Sequence, residues 1–146
     1  MNIAVGTDHR GLEYKQFVIG ILKELGHQSA DCGSYNTDPV DYPDIAKKVC
    51  IAVIDRECDY GILICGTGIG MSMAANKVKG IRAALCWDVF GAGRARAHNN
   101  ANILCLGAER GQAGVIDIIR TFLTTQFEGG RHQNRLNKIA ELENSL

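Results

Sequence analysis

The chain is short of signals that mark membranes, nucleic acids or metal staples. Lysine plus arginine number 16 and aspartate plus glutamate number 16, so the net charge is zero. A general nucleic-acid binder or a polybasic membrane protein is therefore excluded as a first reading. No apolar run reaches the ~18–20 residues that span a bilayer. The first residues already read as a strand, which predicts no secretory leader. There are no repeats, low-complexity tracts or linkers. The six cysteines, Cys32, Cys50, Cys58, Cys65, Cys86 and Cys105, include no C-x-x-C pair, so zinc spacing is absent. Several fall inside apolar runs, as buried free thiols do. These features together predict a reduced, cytoplasmic protein. Only two prolines, Pro39 and Pro43, interrupt the chain.

What is present fits one domain. The chain has 146 residues, 46% of them apolar, enough for a core without disulfides. Charge is uneven: residues 1–60 carry 6 basic and 10 acidic side chains, and residues 61–146 carry 10 and 6. A modestly positive second half suits a small anion better than a polyanion. Short apolar strands alternate with helical stretches. Strands are predicted at Asn2–Gly6, Gln28–Cys32, Tyr60–Cys65, Ile81–Trp87 and Asn102–Gly107. Helices are predicted at Gly11–Leu25, Asp44–Asp55, from Met71, at Asp88–Ala97, Gly111–Gln126 and Asn134–Leu146. The run Tyr-Gly-Ile-Leu-Ile-Cys at 60–65 suits a strand buried on both faces of a parallel sheet. Such alternation predicts a single three-layer, Rossmann-like α/β domain over residues 1–146, with five parallel strands. The tail helix is surplus to it and is expected to pack on the parent domain or on a partner subunit.

Ligands of parallel sheets bind at the carboxyl ends of the strands. Four features are expected to converge there: Gly6–His9, Cys65–Ser72, the group Arg94, Arg96, His98, Asn99 and Asn100, and Glu128–Arg135. The glycines at 66, 68 and 70 form a strand-to-helix turn whose N–H groups can hold a phosphate or an oxyanion. Tight helix–strand packing is the alternative use of the same glycines. The turn is not a P-loop, because no Gly-Lys-Ser/Thr follows. Cys65 opens this turn, where a helix N-terminus favours thiolate; a catalytic thiol and a core thiol are both open. His9 and His98 are placed at strand mouths, whereas His27 and His132 read as plain residues. Arg131 and Arg135, four residues apart at a helix start, can clamp one phosphate or form a solvated face.

These motifs together resemble the family of ribose-5-phosphate isomerase type B and the galactose- and allose-6-phosphate isomerases. The matching pieces are G-T-D-H-R-G at 6–11, D-Y-P-D at 41–44 and I-C-G-T-G-I-G-M-S-M-A-A-N-K at 64–77. They continue with G-I-R-A at 80–83, H-N-N-A-N-I-L at 98–104 and E-G-G-R-H-Q-N-R at 128–135. The resemblance implies a metal-free aldose–ketose isomerase acting through a cis-enediolate. Cys65 matches the family's base, His98 its ring-opening residue and Thr67 its assistant at the oxygens. The backbone of Gly66, Gly68, Ile69 and Gly70 matches the anion hole. Asp8 and Asn99 match the binders of sugar hydroxyls, and His9, Arg131 and Arg135 the phosphate side. The resemblance also implies a homodimer or dimer of dimers with shared sites, in which His98 and Asn99 serve the partner's Cys65.

One departure bears on the substrate. The family has Gly-x-Arg after the last strand, with the arginine on phosphate; here the stretch is Gly107-Ala108-Glu109-Arg110. Either Arg110 substitutes through a one-residue shift, or the phosphate pocket lacks one positive charge. Ribose 5-phosphate is the expected substrate and a 6-phosphorylated hexose the alternative. A non-catalytic sugar-phosphate sensor is a third reading.

Overall fold

The computed structural model describes residues 1–145. Its elements run β1 Asn2–Thr7, α1 Leu12–Glu24, β2 Gln28–Asp31, α2 Tyr42–Ile54, β3 Tyr60–Cys65 and α3 Ile69–Ala75. Then follow β4 Ala83–Leu85, α4 Val89–Ala97, β5 Ile103–Gly107, a 3-10 turn at Ala108–Arg110, α5 Val115–Thr124 and α6 Arg131–Ser145. The strands form one parallel sheet in the order β2-β1-β3-β5-β4. The expected five-stranded three-layer architecture is what the chain adopts.

Alternation along each strand splits the core in two. Ile3, Val5, Ile62, Ile64, Leu104 and Leu106 face α1, α4 and α5. Ala4, Leu63, Cys65, Ile103 and Cys105 face α2 and α3. β3 is buried on both sides because it is the central strand. The edge strands are shorter than their apolar runs suggest. β4 covers three residues rather than Ile81–Trp87, because asparagines satisfy the backbone around it. Asn76 donates to Ala83 O and accepts from Ala83 N, both at 2.9 Å, and Asn102 Oδ1 accepts from Arg82 N at 2.8 Å.

Several helix starts differ from the expected ones, α3 among them at Ile69 rather than Met71. α2 begins at Tyr42 rather than Asp44, with Pro43 in its first turn, where a missing N–H costs nothing. A residue before proline is biased towards extended backbone; Tyr42 is helical nonetheless, and Asp41 takes the extended conformation instead. α5 begins four residues late, after Gly111 and Gly114 at positive φ. α6 begins at Arg131 rather than Asn134, because Gly129 and Gly130 at positive φ turn the chain directly into it.

The strand order reverses direction between β1 and β3, so the carboxyl ends of these two strands form the mouth that such sheets use for ligands. α4 has a different consequence. It starts after Leu85 at the carboxyl edge and runs back to the start of β5 at Ile103. Arg96, near its end, donates to Tyr60 Oη at 2.8 Å and to Ala101 O at 2.6 Å. Tyr60 is the first residue of β3 and Cys65 the last. At ~3.3 Å per residue, about 16 Å of strand separates them.

Candidate active site

The structure divides the expected site residues into two groups at opposite ends of the sheet. Cys65, Thr67, Asp8, His9 and the glycine turn lie at the carboxyl edge. His98 and Asn99, at the end of α4, lie at the amino edge. Glu128 joins them there through its N–H, which donates to Ala97 O at 3.0 Å, and α6 follows with Arg131 and Arg135. The expected convergence of all four features on one strand mouth is therefore corrected. An α4 helix that descends the sheet cannot deliver its last residue to the end it started from.

At the carboxyl edge, Cys65 is buried at the end of β3, and its Sγ accepts the Gly68 N–H at 3.1 Å. Gly68 has φ +79°, and a Cβ there would lie 3.0 Å from the Leu106 carbonyl carbon. A Cβ on Gly107 would lie 2.7 Å from Thr67 O. The turn thus rests backbone-to-backbone against the end of β5, so packing and function use the same glycines. Thr67 is exposed, with Oγ1 accepting the Ile69 N–H at 3.2 Å.

The neighbouring loop fixes the other wall. Asp8 is buried, with Oδ1 accepting the Arg10 N–H at 3.0 Å. His9 Nδ1 accepts the Val40 N–H at 3.2 Å, which leaves the proton of the neutral ring on Nε2. A fully buried lysine, Lys15, supports this loop by donating to Asp31 Oδ1 at 2.7 Å and Ser34 O at 2.5 Å. Tyr42 lies against Gly70, and the Glu109 carboxylate lies against Gly66. The Arg110 guanidinium stacks on Trp87 at 4.9 Å. Burial pushes Cys50 and Cys86 up to about 11, and burial, with neighbouring thiols, holds Cys105 well above the ordinary thiol range.

At the amino edge, the ring of His98 stacks on that of His132, with centroids 4.2 Å apart and planes at 12°. Glu128 Oε2 lies 3.7 Å from His98 Nε2 and 3.4 Å from His132 Nε2. Arg94 Nη1 lies 3.0 Å from His98 Nε2. His132 is buried; burial, followed by His98 and the Arg131 charge, lowers its proton affinity, with Glu128 acting in the opposite sense. His132 and Glu128 were not singled out from spacing, though their i, i+4 relation was the available signal. His98, Glu128 and His132 are the one trio among the described residues with metal-ligand atoms within 4.8 Å of one another. Arg94, Arg131 and Arg135 make their surroundings positive, which suits an anion better than a cation. Two other expected features change role. Arg96 is buried and structural, and Asn100 accepts from it at 2.8 Å. His27 is half-buried.

Beside this group runs an open groove of about 960 Å³ between the β4 edge and α6. Asn99 and Arg94 line it with Ile81, Leu85, Leu136 and Leu142. Ile139 and Leu142 remain 43% and 59% exposed, while α6 docks on the domain through buried His132 and Leu136 and through polar contacts near Gly80.

Comparison with known proteins places this geometry. The family model for ribose/galactose isomerases matches residues 3–139. The solved structure of ribose-5-phosphate isomerase B from Clostridium thermocellum is 47% identical, covers 99% of each chain and superimposes with a TM-score of 0.96. Ribose-5-phosphate isomerase B of Escherichia coli is 42% identical over 97% of this chain and 95% of its own length. The Mycoplasma genitalium enzyme, solved with bound ribulose 5-phosphate, is 44% identical, with 99% and 97% coverage and a TM-score of 0.92. With the motifs in order along almost its whole length, the chain belongs to the ribose/galactose isomerase family of sugar-phosphate isomerases.

Proposed function

We propose that the protein interconverts D-ribose 5-phosphate and D-ribulose 5-phosphate, without metal or cofactor, in sites shared between two copies of the chain. The observation that carries this reading is the Gly68 N–H on Cys65 Sγ at the β1/β3 mouth. That sulfur stands where it can take the C2 proton of the open-chain aldose. A cis-enediolate forms, and the same sulfur returns the proton to C1. Thr67 moves the proton between O1 and O2, and the turn Gly66–Gly70 stabilises the oxyanion. Asp8 and Asn99 hold sugar hydroxyls; His9, Arg131 and Arg135 hold the phosphate. His98 opens the furanose ring, a task suited to an imidazole near pH 7.

The opposite placement of Cys65 and His98 supports the shared site. A two-fold partner brings the amino edge of one copy to the carboxyl edge of the other. The apolar groove with exposed Ile139 and Leu142 supplies surface for such a contact.

A second reading, isomerisation of a 6-phosphorylated hexose, draws on Glu109 against Gly66 and Arg110 on Trp87. With a carboxylate at that wall, the phosphate has less reason to sit close to Cys65. Turnover of ribose 5-phosphate, allose 6-phosphate and galactose 6-phosphate, measured with EDTA present, decides. Pentose turnover establishes the proposal, and activity on a hexose phosphate alone transfers it to the second reading. Binding without turnover on all three replaces both with a sensor.

A further inference from the structure

We propose that Arg94 and Glu128 select which ring nitrogen of His98 carries the proton, and so set when His98 can act on the sugar ring. The inference rests on the ring-opening reading above. Both side chains address the same atom. Arg94 Nη1 is 3.0 Å from His98 Nε2, and Glu128 Oε2 is 3.7 Å from it. A guanidinium only donates and a carboxylate only accepts. The Arg94 contact therefore requires a lone pair on Nε2 and places the proton on Nδ1. A Glu128 contact requires the reverse. At 3.7 Å the carboxylate is beyond hydrogen-bond reach, so the structure shows the Arg94-held form. Closing Glu128 onto Nε2 needs a movement of about 1 Å.

The surroundings hold the ring while leaving that choice open. Arg94 is one turn back on the same helix. Glu128 is on the segment packed against the end of α4. His132, Arg131 and Arg135 belong to α6. The stack of His132 on His98 keeps the imidazole plane fixed, so a change of partner at Nε2 changes the proton at Nδ1 rather than turning the ring. Glu128 also lies 3.4 Å from His132 Nε2, which keeps the carboxylate between the two rings.

The consequence for ring opening follows from the proton balance. The O1 proton passes to Nδ1, the C1–O4 bond breaks as C1=O1 forms, and Nδ1 delivers the proton to O4. The imidazole is unchanged at the end. This cycle starts from a lone pair on Nδ1, hence from Nε2–H held by Glu128. The Arg94-held form is at rest, because its Nδ1 already bears a proton. Glu128 is thus a positioning residue that creates the working tautomer, and Arg94 opposes it.

The test uses the full-length protein with 15N-labelled histidine. Two-bond 15N–1H spectra read the tautomer of His98, assigned by its absence from His98→Asn. Glu128→Ala should raise the Nδ1–H to Nε2–H ratio at least about fivefold, and Arg94→Ala should lower it by a similar factor. Both side chains are exposed, so both variants should fold. Glu128→Ala should also slow isomerisation of ribose 5-phosphate about tenfold. It should leave deuterium wash-in at C1 of ribulose 5-phosphate within about twofold, because that ketose cannot close a furanose ring with O5 esterified and reads only the Cys65 step. A tautomer ratio unmoved in both variants overturns the selector. Equal losses in both assays for His98→Asn overturn the ring-opening reading, and with it the acid–base consequence drawn here.

Discussion

Cys65 shows how little separates a core residue from a reactive one. Cys50, Cys86 and Cys105 have the same side chain and similar burial, yet burial holds their thiols well above neutral pH. Cys65 differs in ending the central strand at the ligand mouth, with an N–H on its sulfur. Iodoacetamide at pH 7.5 should therefore leave Cys50, Cys86 and Cys105 unmodified in the folded protein, and peptide mass spectrometry checks this. Cys65→Ala should cut isomerisation by about 10²–10⁴-fold while the thermal midpoint and sugar-phosphate binding stay close to wild type. An active alanine variant would remove Cys65 as the base. Spacing alone left Cys65 open between core and catalysis, and only the motif around it tipped the choice. Nothing in its own position along the chain shows the Gly68 contact.

At the scale of elements, helix and strand types were readable because burial imposes their periods. The run at 60–65 had to be a central strand, since no surface element tolerates six such residues in succession. Edge elements were less legible: asparagine side chains replace ladder bonds around β4, and that exchange leaves no periodic trace. Lys15 was missed for a related reason. It interrupts the apolar face of α1 between Tyr14 and Val18, and its partners, Asp31 and Ser34, come from other elements. Lys15→Met should destabilise the fold by about 1–3 kcal/mol, because Ser34 O is then buried without a donor. Urea unfolding measures it. The same variant should raise KM more than it lowers the Cys65-dependent exchange rate, since the loop it supports holds His9 through Val40.

For the whole molecule, the proposed shared site gives each chain two half-sites and no complete one. Coexpression of Cys65→Ala with His98→Asn should restore about a quarter of wild-type turnover, because half of the dimers are then mixed and each has one intact site. No recovery in verified mixed dimers would place both residues in one subunit's site. Leu142→Glu, on the exposed face of α6, should shift the protein to monomers in light scattering and remove ribose 5-phosphate turnover without unfolding the domain. Among the described residues no helix is long and apolar enough to cross a membrane.

The sequence by itself determined the alternation of elements, the single parallel sheet, and the glycine turn with Cys65 at its mouth. These follow from local periodicity and from residues adjacent in the chain. Tertiary structure alone decided that His98, Asn99, Arg131 and Arg135 sit at the far edge from Cys65. It alone stacked His132 on His98, turned Arg110 onto Trp87 and buried Lys15. The direction in which a helix returns along a sheet is set by the packing of whole elements, so the order of motifs along the chain cannot reveal which of them meet.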